Sequence, residues 1–243
     1  MRRARALWRI FAVLWTAFEA WIWFLANWIS KRGKVNSQER AEWLQHWCAT
    51  ALPRLGISYE CEGAPPTSGM IICNHVSYLD IFVISALVPC VFVGKKEIED
   101  WPIFGLLSRC AGTLFLDRER RPDTQRVAGE LEERLASGTI AVLFPEGTSS
   151  DGSQVLPFHS SLFEAALNSG ALLTPAYISY NQSEAAYWGE MKMLPHVMEL
   201  LAKERISARV RFGESVRAAQ DRKQTALIMR AQVVNLGRGR GAP

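Results

Sequence analysis

The chain has 243 residues, 49% of them hydrophobic, and a formal net charge of +4 at pH 7. That length is enough to bury the core of one α/β domain. The charge excess is too small to indicate a nucleic-acid partner, whereas a mildly basic chain with an apolar end suits an anionic membrane surface. The five cysteines are scattered, without a C-x-x-C pair or a Cys/His cluster. This spacing favours reduced thiols in a cytosolic compartment and disfavours a disulfide framework or a zinc site.

Residues 7–29 are predicted to form an apolar helix that is embedded in a membrane or lies at its interface. The segment holds five of the nine tryptophans and has basic residues at both ends. Tryptophan prefers the membrane–water interface, and a spanning helix needs about 20 apolar residues. Arg9, Glu19 and Asn27 interrupt the run, so it barely qualifies as a span, and a helix packed on the domain is the alternative. A signal peptide is disfavoured because Glu19 breaks the apolar core and no small-residue cleavage site stands out.

A second helix is predicted to follow directly. It begins near Ser37, and Trp43, Leu44 and Trp47 fall at helical spacing on one face. The two helices are expected to form a membrane-associated hairpin over residues 1–55.

The remaining chain alternates apolar strands with helices. The predicted strands cover residues 70–74, 90–94, 114–117, 140–144, 172–179 and 208–212, and the predicted helices cover residues 78–87, 123–137, 162–168 and 220–235. Continuous apolar strands separated by helices predict an α/β fold, with a mostly parallel sheet covered by helices on both faces. This domain is expected to occupy residues 56–236, and the Gly/Arg-rich residues 237–243 are expected to be a disordered tail.

The stretch NHVSYLDI places His75 and Asp80 five residues apart, directly after an apolar strand. In such sheets, functional sites gather at the carboxyl ends of strands. One interpretation is structural: Ser77 is a good helix N-cap, Asp80 completes a capping box, and His75 is an ordinary loop residue. The other is chemical: a neutral imidazole takes a proton from a hydroxyl, and a carboxylate on its second ring nitrogen fixes the tautomer.

The stretch FPEGTSSDG also follows an apolar strand directly. Pro145 and Gly147 force an irregular backbone, and exposed N–H groups in such a turn can hold an oxyanion. Glu146 adds a carboxylate beside them. The alternative is a polar loop that is merely rich in turn-forming residues.

Two weaker signals accompany these loops. Residues 112–118 read as a strand that ends in the charged pair Asp117-Arg118. Residues 172–177 read as a strand that contains Pro175, a residue disfavoured in central strands. Something beside Pro175 is therefore expected to compensate for its missing N–H.

Together these blocks resemble the glycerolipid acyltransferase family typified by bacterial lysophosphatidate acyltransferase. The family's NHxxxxD block is matched by Asn74, His75 and Asp80. Its FPEGTRS block is matched by residues 144–150, and these two blocks are specific when found together. The strand ending in Asp-Arg and the strand with a proline complete the set, so the resemblance covers about residues 66 to 217.

The resemblance implies transfer of a fatty acyl group from acyl-CoA or acyl-carrier protein to the free hydroxyl of a lysolipid. His75 would deprotonate that hydroxyl, and Asp80 would hold His75. Backbone N–H groups around Gly147 would stabilise the oxyanion, and Glu146 would position the acceptor. The acyl donor is a co-substrate, and neither a cofactor nor a metal is implied.

The resemblance also implies which residues line the substrate site. Arg118 would hold an acidic headgroup, and the matched positions Asn74, Thr148, Ser149 and Pro175 would complete the site. The enzyme would work on a membrane lipid surface, at the cytoplasmic face of the inner or plasma membrane, without nucleic acid.

Ser149 departs from the family pattern, which usually has arginine at this position. The general family acceptor is 1-acylglycerol-3-phosphate, which gives phosphatidic acid, and this remains the first expectation. Because the missing arginine is associated with the phosphate, an acceptor such as a lyso-ornithine lipid is the alternative. A thioesterase is disfavoured because there is no G-x-S-x-G elbow. A silent lipid-binding protein would need neither His75 nor Asp80.

Overall fold

A computed structural model describes residues 2–239. Two antiparallel helices open the chain, α1 (Arg2–Ser30) and α2 (Ser37–Leu55). The start of α2 is fixed by a capping box, in which the Asn36 side chain accepts from the Glu39 N–H and the Glu39 carboxylate accepts from the Asn36 N–H. The predicted helical hairpin is therefore present.

The rest of the chain forms one sheet with helices on both faces. Its strands are β1 (Ile57–Glu62), β2 (Met70–Cys73), β3 (Cys90–Lys95), β4 (Leu114–Leu116), β5 (Ile140–Leu143), β6 (Leu173–Tyr180) and β7 (Ile206–Phe212). Its helices are α3 (Leu79–Leu87), α4 (Phe104–Cys110), α5 (Arg121–Ala136), α6 (Phe163–Ser169), α7 (Met193–Ala202) and α8 (Arg222–Arg238).

The strand order is β1-β7-β6-β2-β5-β3-β4, and every neighbouring pair is parallel except β6–β7. The prediction of a mostly parallel, helix-covered sheet is thus confirmed. Successive residues of β2 point to opposite sides: Ile71 and Cys73 join the core under α2, α3 and α7, whereas Met70 and Ile72 join the core under α5, α6 and α8. Burial on both faces is why these strands are continuously apolar.

The helical pair shares the core of the sheet domain. Leu52 and Leu55 of α2, and Ala6 of α1, belong to the same buried cluster as β2 and α3. The boundary expected at residue 55 therefore divides two segments that share one core.

Two of the polar residues that interrupt the apolar helix α1, Arg9 and Glu19, contact the rest of the protein. Arg9 donates to the carbonyl oxygens of Leu201, Lys203 and Glu204 at 2.5–3.2 Å, which caps the carboxyl end of α7. Glu19 pairs with Arg54 of α2 at 3.1 Å. Both groups are satisfied inside the fold, so the opposite face of α1 is left free to be apolar.

Several local predictions were wrong. Helix α3 begins at Leu79, so Ser77 lies too early to cap it, and its hydroxyl is buried without a hydrogen-bond partner. Helix α8 continues to Arg238, so residues 237 and 238 are helical, while residues 240–243 of the expected tail lie outside the described residues. Strand β1 and helices α4 and α7 were not predicted, although β1 alternates apolar and polar residues and α7 has apolar residues at helical spacing.

Candidate active site

Four loops meet at one edge of the sheet because β2, β4, β5 and β6 run in the same direction. β2 leads into Asn74 and His75, β5 leads into the 144–150 loop, and β4 leads into Arg118. β6 continues past the end of β2, from Ala176 opposite Cys73 to Tyr180. The carboxyl-terminal edge of such a sheet is where ligand sites occur.

The Asn74 side chain continues the pairing with β6 after β2 ends at Cys73. Its side-chain oxygen accepts from the Ile178 N–H at 2.8 Å, and its amide nitrogen donates to the Ile178 carbonyl at 3.0 Å. The amide thus replaces a strand partner for β6 while the main chain turns away toward His75. Asn74 was expected to bind substrate, but its buried side chain is fully occupied in holding this turn.

His75 and Asp80 are brought together as the sequence predicted. The His75 Nδ1 lies 2.8 Å from the Asp80 Oδ2, and the imidazole is 20% exposed while the carboxylate is fully buried. With Nδ1–H donating to the carboxylate, the Nε2 lone pair is the basic site. Within residues 2–239, Nε2 has no protein hydrogen-bond partner, so it is available to a hydroxyl group.

The Asp80 carboxylate is held by four donors. Its Oδ2 accepts from His75 Nδ1 and from the N–H groups of Val76 and Ser77 at 2.7 and 3.0 Å. Its Oδ1 accepts from the Tyr180 hydroxyl at 2.6 Å. Asp80 also lies in the first turn of α3, where the helix dipole favours a negative charge. One carboxylate therefore bonds the backbone that leads into the helix and also orients the histidine, although the capping box expected with Ser77 does not form.

The 144–150 loop clamps the backbone of His75 from both sides. Glu146 Oε1 accepts from the His75 N–H at 3.0 Å, and the Ser150 N–H donates to the His75 carbonyl at 2.9 Å. The Phe144 ring stacks on the imidazole with centroids 4.3 Å apart. Ser150 was not predicted as a functional residue, although it lies in the motif.

Glu146 bonds the backbone of the loop that carries His75. Its expected role in positioning the acceptor stays a prediction. Glu146 is buried, and its second oxygen accepts from the Leu156 N–H at 3.2 Å. Burial raises the pKa of this carboxyl to about 7, although the two backbone donors oppose the shift. A raised pKa means that the folded state binds the proton more tightly than the unfolded chain. The contribution of Glu146 to stability is therefore greatest below its usual pKa of 4.5 and is lost as the pH rises through about 7.

We expect Glu146→Gln to remove this pH dependence. The free energy of unfolding of the wild type, relative to the variant, should fall by about 2 kcal/mol between pH 5 and pH 8. Urea unfolding at the two pH values measures it. The exposed carboxylate variant Glu199→Gln is the control and should parallel the wild type. If Glu146→Gln also parallels the wild type, the carboxyl does not titrate in this range.

Gly147 shapes the loop but does not itself offer a donor. Its φ of +75° is in the left-handed region, and its N–H donates to the Phe144 carbonyl at 3.1 Å. The neighbouring N–H groups of Thr148 and Ser149 have no protein acceptor within the described chain. Of the described amides around Gly147, those of Thr148 and Ser149 are therefore left free to donate, and their expected role toward an oxyanion stays a prediction.

Arg118 lies beside Gly147. Its guanidinium donates to the Gly147 carbonyl, and a Cβ on Gly147 would lie 2.5 Å from its Nη1 and 3.0 Å from the His159 ring. Thr148 and Arg118 are exposed and Ser149 is half-buried, so all three border the open side of the loop. His159 was not predicted, because nothing in the sequence connects it with this loop.

Pro175 lies inside the sheet, so its expected contact with substrate is not supported. It is buried in β6, and its carbonyl accepts from the Gly213 N–H at 2.9 Å, just after β7 ends at Phe212. The proline ring thus lies where the hydrogen-bonded pairing of β6 with β7 ends. A missing N–H is least destabilising at such a position. A Cβ on Gly213 would lie 2.8 Å from the proline ring, so the glycine leaves room for that ring.

Comparison with known proteins places this site in a family. The profile of the Acyltransferase family matches residues 58–179. The chain belongs to the acyltransferase family. Its fold is that of the 1-acyl-sn-glycerophosphate (LPA) acyltransferase PlsC from Thermotoga maritima, with a TM-score of 0.62 over 100% of both chains at 22% identity.

Two kinds of curated relative resemble this acyltransferase. The lyso-ornithine lipid O-acyltransferase of Rhizobium meliloti is 35% identical over 72% of this chain and 67% of its own length. The 1-acyl-sn-glycerol-3-phosphate acyltransferase of Neisseria meningitidis is 30% identical over 67% of this chain and 66% of its own. Both are lysolipid acyltransferases, and the expected enzyme class is therefore confirmed.

Proposed function

We propose that this acyltransferase transfers a fatty acyl group from a thioester donor, acyl-CoA or acyl-carrier protein, to the hydroxyl of a lyso-ornithine or similar aminolipid. The observation that carries the chemistry is the His75–Asp80 pair. The His75 Nδ1 is bonded to the buried Asp80 carboxylate. The Nε2 is free among the described residues, and the ring is partly exposed at the carboxyl-terminal edge of the sheet.

The geometry supports a direct transfer. His75 Nε2 takes the proton of the acceptor hydroxyl as its oxygen attacks the thioester carbonyl. The negative charge that develops on the carbonyl oxygen is stabilised by the N–H groups of Thr148 and Ser149. When the tetrahedral intermediate collapses, the carbon–sulfur bond breaks and the imidazolium returns its proton to the thiolate. The imidazole is then ready for another cycle.

Ser149 is the observation that favours an aminolipid acceptor. Arginine grips phosphate oxygens through two charge-assisted bonds, whereas serine offers one neutral hydroxyl. Four relatives named as lyso-ornithine lipid O-acyltransferases, which are 32–35% identical to this chain, point in the same direction. Lysophosphatidate is the second candidate, because the Arg118 guanidinium at the same loop is an alternative partner for a phosphate group.

The acceptor is tested by assaying a panel of lysolipids with both thioester donors and identifying the products by mass spectrometry. We expect diacylated ornithine lipid as the main product. Transfer to lysophosphatidate alone would establish the second candidate, and release of free fatty acid without any acylated lipid would contradict both.

Ser149→Arg is expected to shift acceptor preference toward lysophosphatidate. A charge-assisted hydrogen bond contributes roughly 1.5–3 kcal/mol, so the ratio of kcat/KM for lysophosphatidate to that for the lyso-aminolipid should rise about tenfold or more. Steady-state kinetics at matched detergent and salt measure the ratio. Ser153→Arg, at an exposed position of the same connection, is the control and should leave it unchanged. An unchanged ratio in Ser149→Arg would mean that the side chain at position 149 does not determine which headgroup the enzyme prefers.

The exposed face of α1 supports docking on a membrane surface. Ala6, Ala12, Thr16 and Ala20 pack inward, and the opposite side carries a row of exposed apolar side chains: Leu7, Trp8, Phe11, Leu14, Trp15, Phe18 and Ile22. α1 is the one described helix with the length and apolar composition to cross a membrane. Because one face is packed on the domain, we infer that α1 lies in the interface at the cytoplasmic side, with its aromatic row in lipid.

Replacing Trp8, Phe11 and Trp15 together with glutamate should release the protein from lipid vesicles. Each apolar side chain contributes about 1.5–3 kcal/mol when it is fully buried, so partition should fall at least tenfold. Flotation with anionic vesicles measures it. Leu227→Glu on α8 is the control, because Leu227 is 71% exposed but belongs to another helix. Equal partition of the triple variant and the wild type would exclude α1 as the docking element.

A further inference from the structure

Tyr180 provides the one contact that the Asp80 Oδ1 makes in the described structure. The phenol hydroxyl donates to that oxygen at 2.6 Å, while the other donors all converge on Oδ2. Tyr180 is the last residue of β6, whereas Asp80 lies in the first turn of α3. The bond therefore ties the start of a helix to the central sheet.

We propose that Tyr180 is a positioning residue, which holds the Asp80 carboxylate and through it sets the orientation and basicity of the His75 imidazole. This inference rests on the proposed function, because it gives Tyr180 a part in acyl transfer. Tyr180 does not touch the imidazole in this structure, so its effect passes through the carboxylate.

The orienting effect follows from how a carboxylate rotates. The three donors on Oδ2 already restrict rotation about the Cβ–Cγ bond, and the Tyr180 hydroxyl restricts it further by fixing the second oxygen. Because His75 Nδ1 bonds to Oδ2, a rotation of the carboxylate moves the direction in which Nε2 points. Small losses of alignment in a proton transfer reduce the rate without weakening substrate binding.

The effect on basicity follows from charge. The active form of the pair has a neutral imidazole and an anionic carboxylate, and a hydroxyl donor stabilises that anion. Removing the donor favours uptake of a proton by the pair, whichever of the two groups carries it. The acid limb of the pH–rate profile should therefore move to higher pH.

The Tyr180 phenol is suited to donate to the Asp80 carboxylate at every working pH. Burial, followed by the nearby Asp80 carboxylate, raises the pKa of Tyr180 well above its usual value, so the hydroxyl remains a donor throughout the working range. Other titratable groups around it are Cys73 and Tyr78. Glu146 bonds the His75 N–H and itself titrates near neutral pH, so an assay must separate its protonation from that of the imidazole.

The test compares Tyr180→Phe with the wild type by the pH dependence of kcat and kcat/KM and by nitrogen NMR of the His75 ring. We expect kcat to fall about tenfold with KM unchanged, and the acid limb and the NMR midpoint to rise together by about one pH unit. Tyr78→Phe is the matched control. It removes a neighbouring tyrosine hydroxyl, which bonds to His196 Nδ1 at 3.1 Å, and should not move the midpoint.

A second substitution keeps the proposal testable if Tyr180→Phe does not fold. Fluorotyrosine at position 180 keeps the shape of the ring but is a stronger hydrogen-bond donor, so it should move the midpoint to lower pH. Unchanged midpoints in both variants would overturn the proposal, as would an equal shift in Tyr78→Phe. The NMR titration needs no substrate, so failure of the wild type to acylate any lysolipid would contradict the proposed function separately.

Discussion

His75→Ala is expected to abolish acyl transfer while leaving the fold intact. General-base catalysis typically contributes about 10²–10⁴-fold, and no second imidazole contacts Asp80 in the described chain. The ring is part-exposed and stacks only on Phe144 at its face, so its loss should change stability little. The measurement is the rate of product formation with a saturating thioester donor, together with the thermal unfolding midpoint.

The control for this substitution is His46→Ala, which removes an exposed histidine from α2. It should retain full activity. If His75→Ala keeps more than about a tenth of the wild-type rate, the imidazole is not the base, and the mechanism must be abandoned.

Asp80→Asn is expected to reduce kcat by about 10²–10⁴-fold, because it removes the charge that stabilises the imidazolium while keeping the shape of the side chain. If the amide oxygen takes the place of Oδ2, it still accepts from Val76, Ser77 and His75. If the amide nitrogen takes that place, it faces three donors, and the imidazole must adopt the wrong tautomer. Either arrangement leaves His75 a poorer base.

Single-turnover kinetics measure the chemical step in Asp80→Asn. Asp151→Asn is the control, because Asp151 is an exposed carboxylate just after the 144–150 loop, and within residues 2–239 its side chain bonds only to Ser153. Wild-type rates in Asp80→Asn with an intact fold would show that the buried charge has no part in catalysis.

The sequence by itself determined the central strands, the helical hairpin and the two loops that form the candidate site. Apolar runs such as residues 70–73 and 140–143 are buried on both faces, so their composition alone predicts central parallel strands. The pairing of His75 with Asp80 was also predictable, because a turn and the start of a helix bring residues five apart into contact. Local spacing is sufficient wherever the interacting groups are close along the chain.

Residues that contribute bonds from distant strands could not be predicted in the same way. Tyr180 reaches Asp80, and Ser150 reaches His75, because β6 and β5 flank β2, and strand order is set by packing rather than by any local pattern. Asn74 matched a family motif, but which atoms its amide bonds depended on where β2 ends relative to β6.

The polar residues of α1 also show which features follow from the sequence and which are decided by the tertiary structure. Their presence in an apolar run made the helix look like a poor membrane segment, since one-dimensional hydropathy averages over all faces. Only the tertiary structure shows that Arg9 caps α7 and that Glu19 pairs with α2, so that polar and apolar residues fall on opposite sides. The sequence determined which residues α1 contains, and packing against the domain decided which face remains for lipid, because burial of one face fixes the rotation of the helix about its axis.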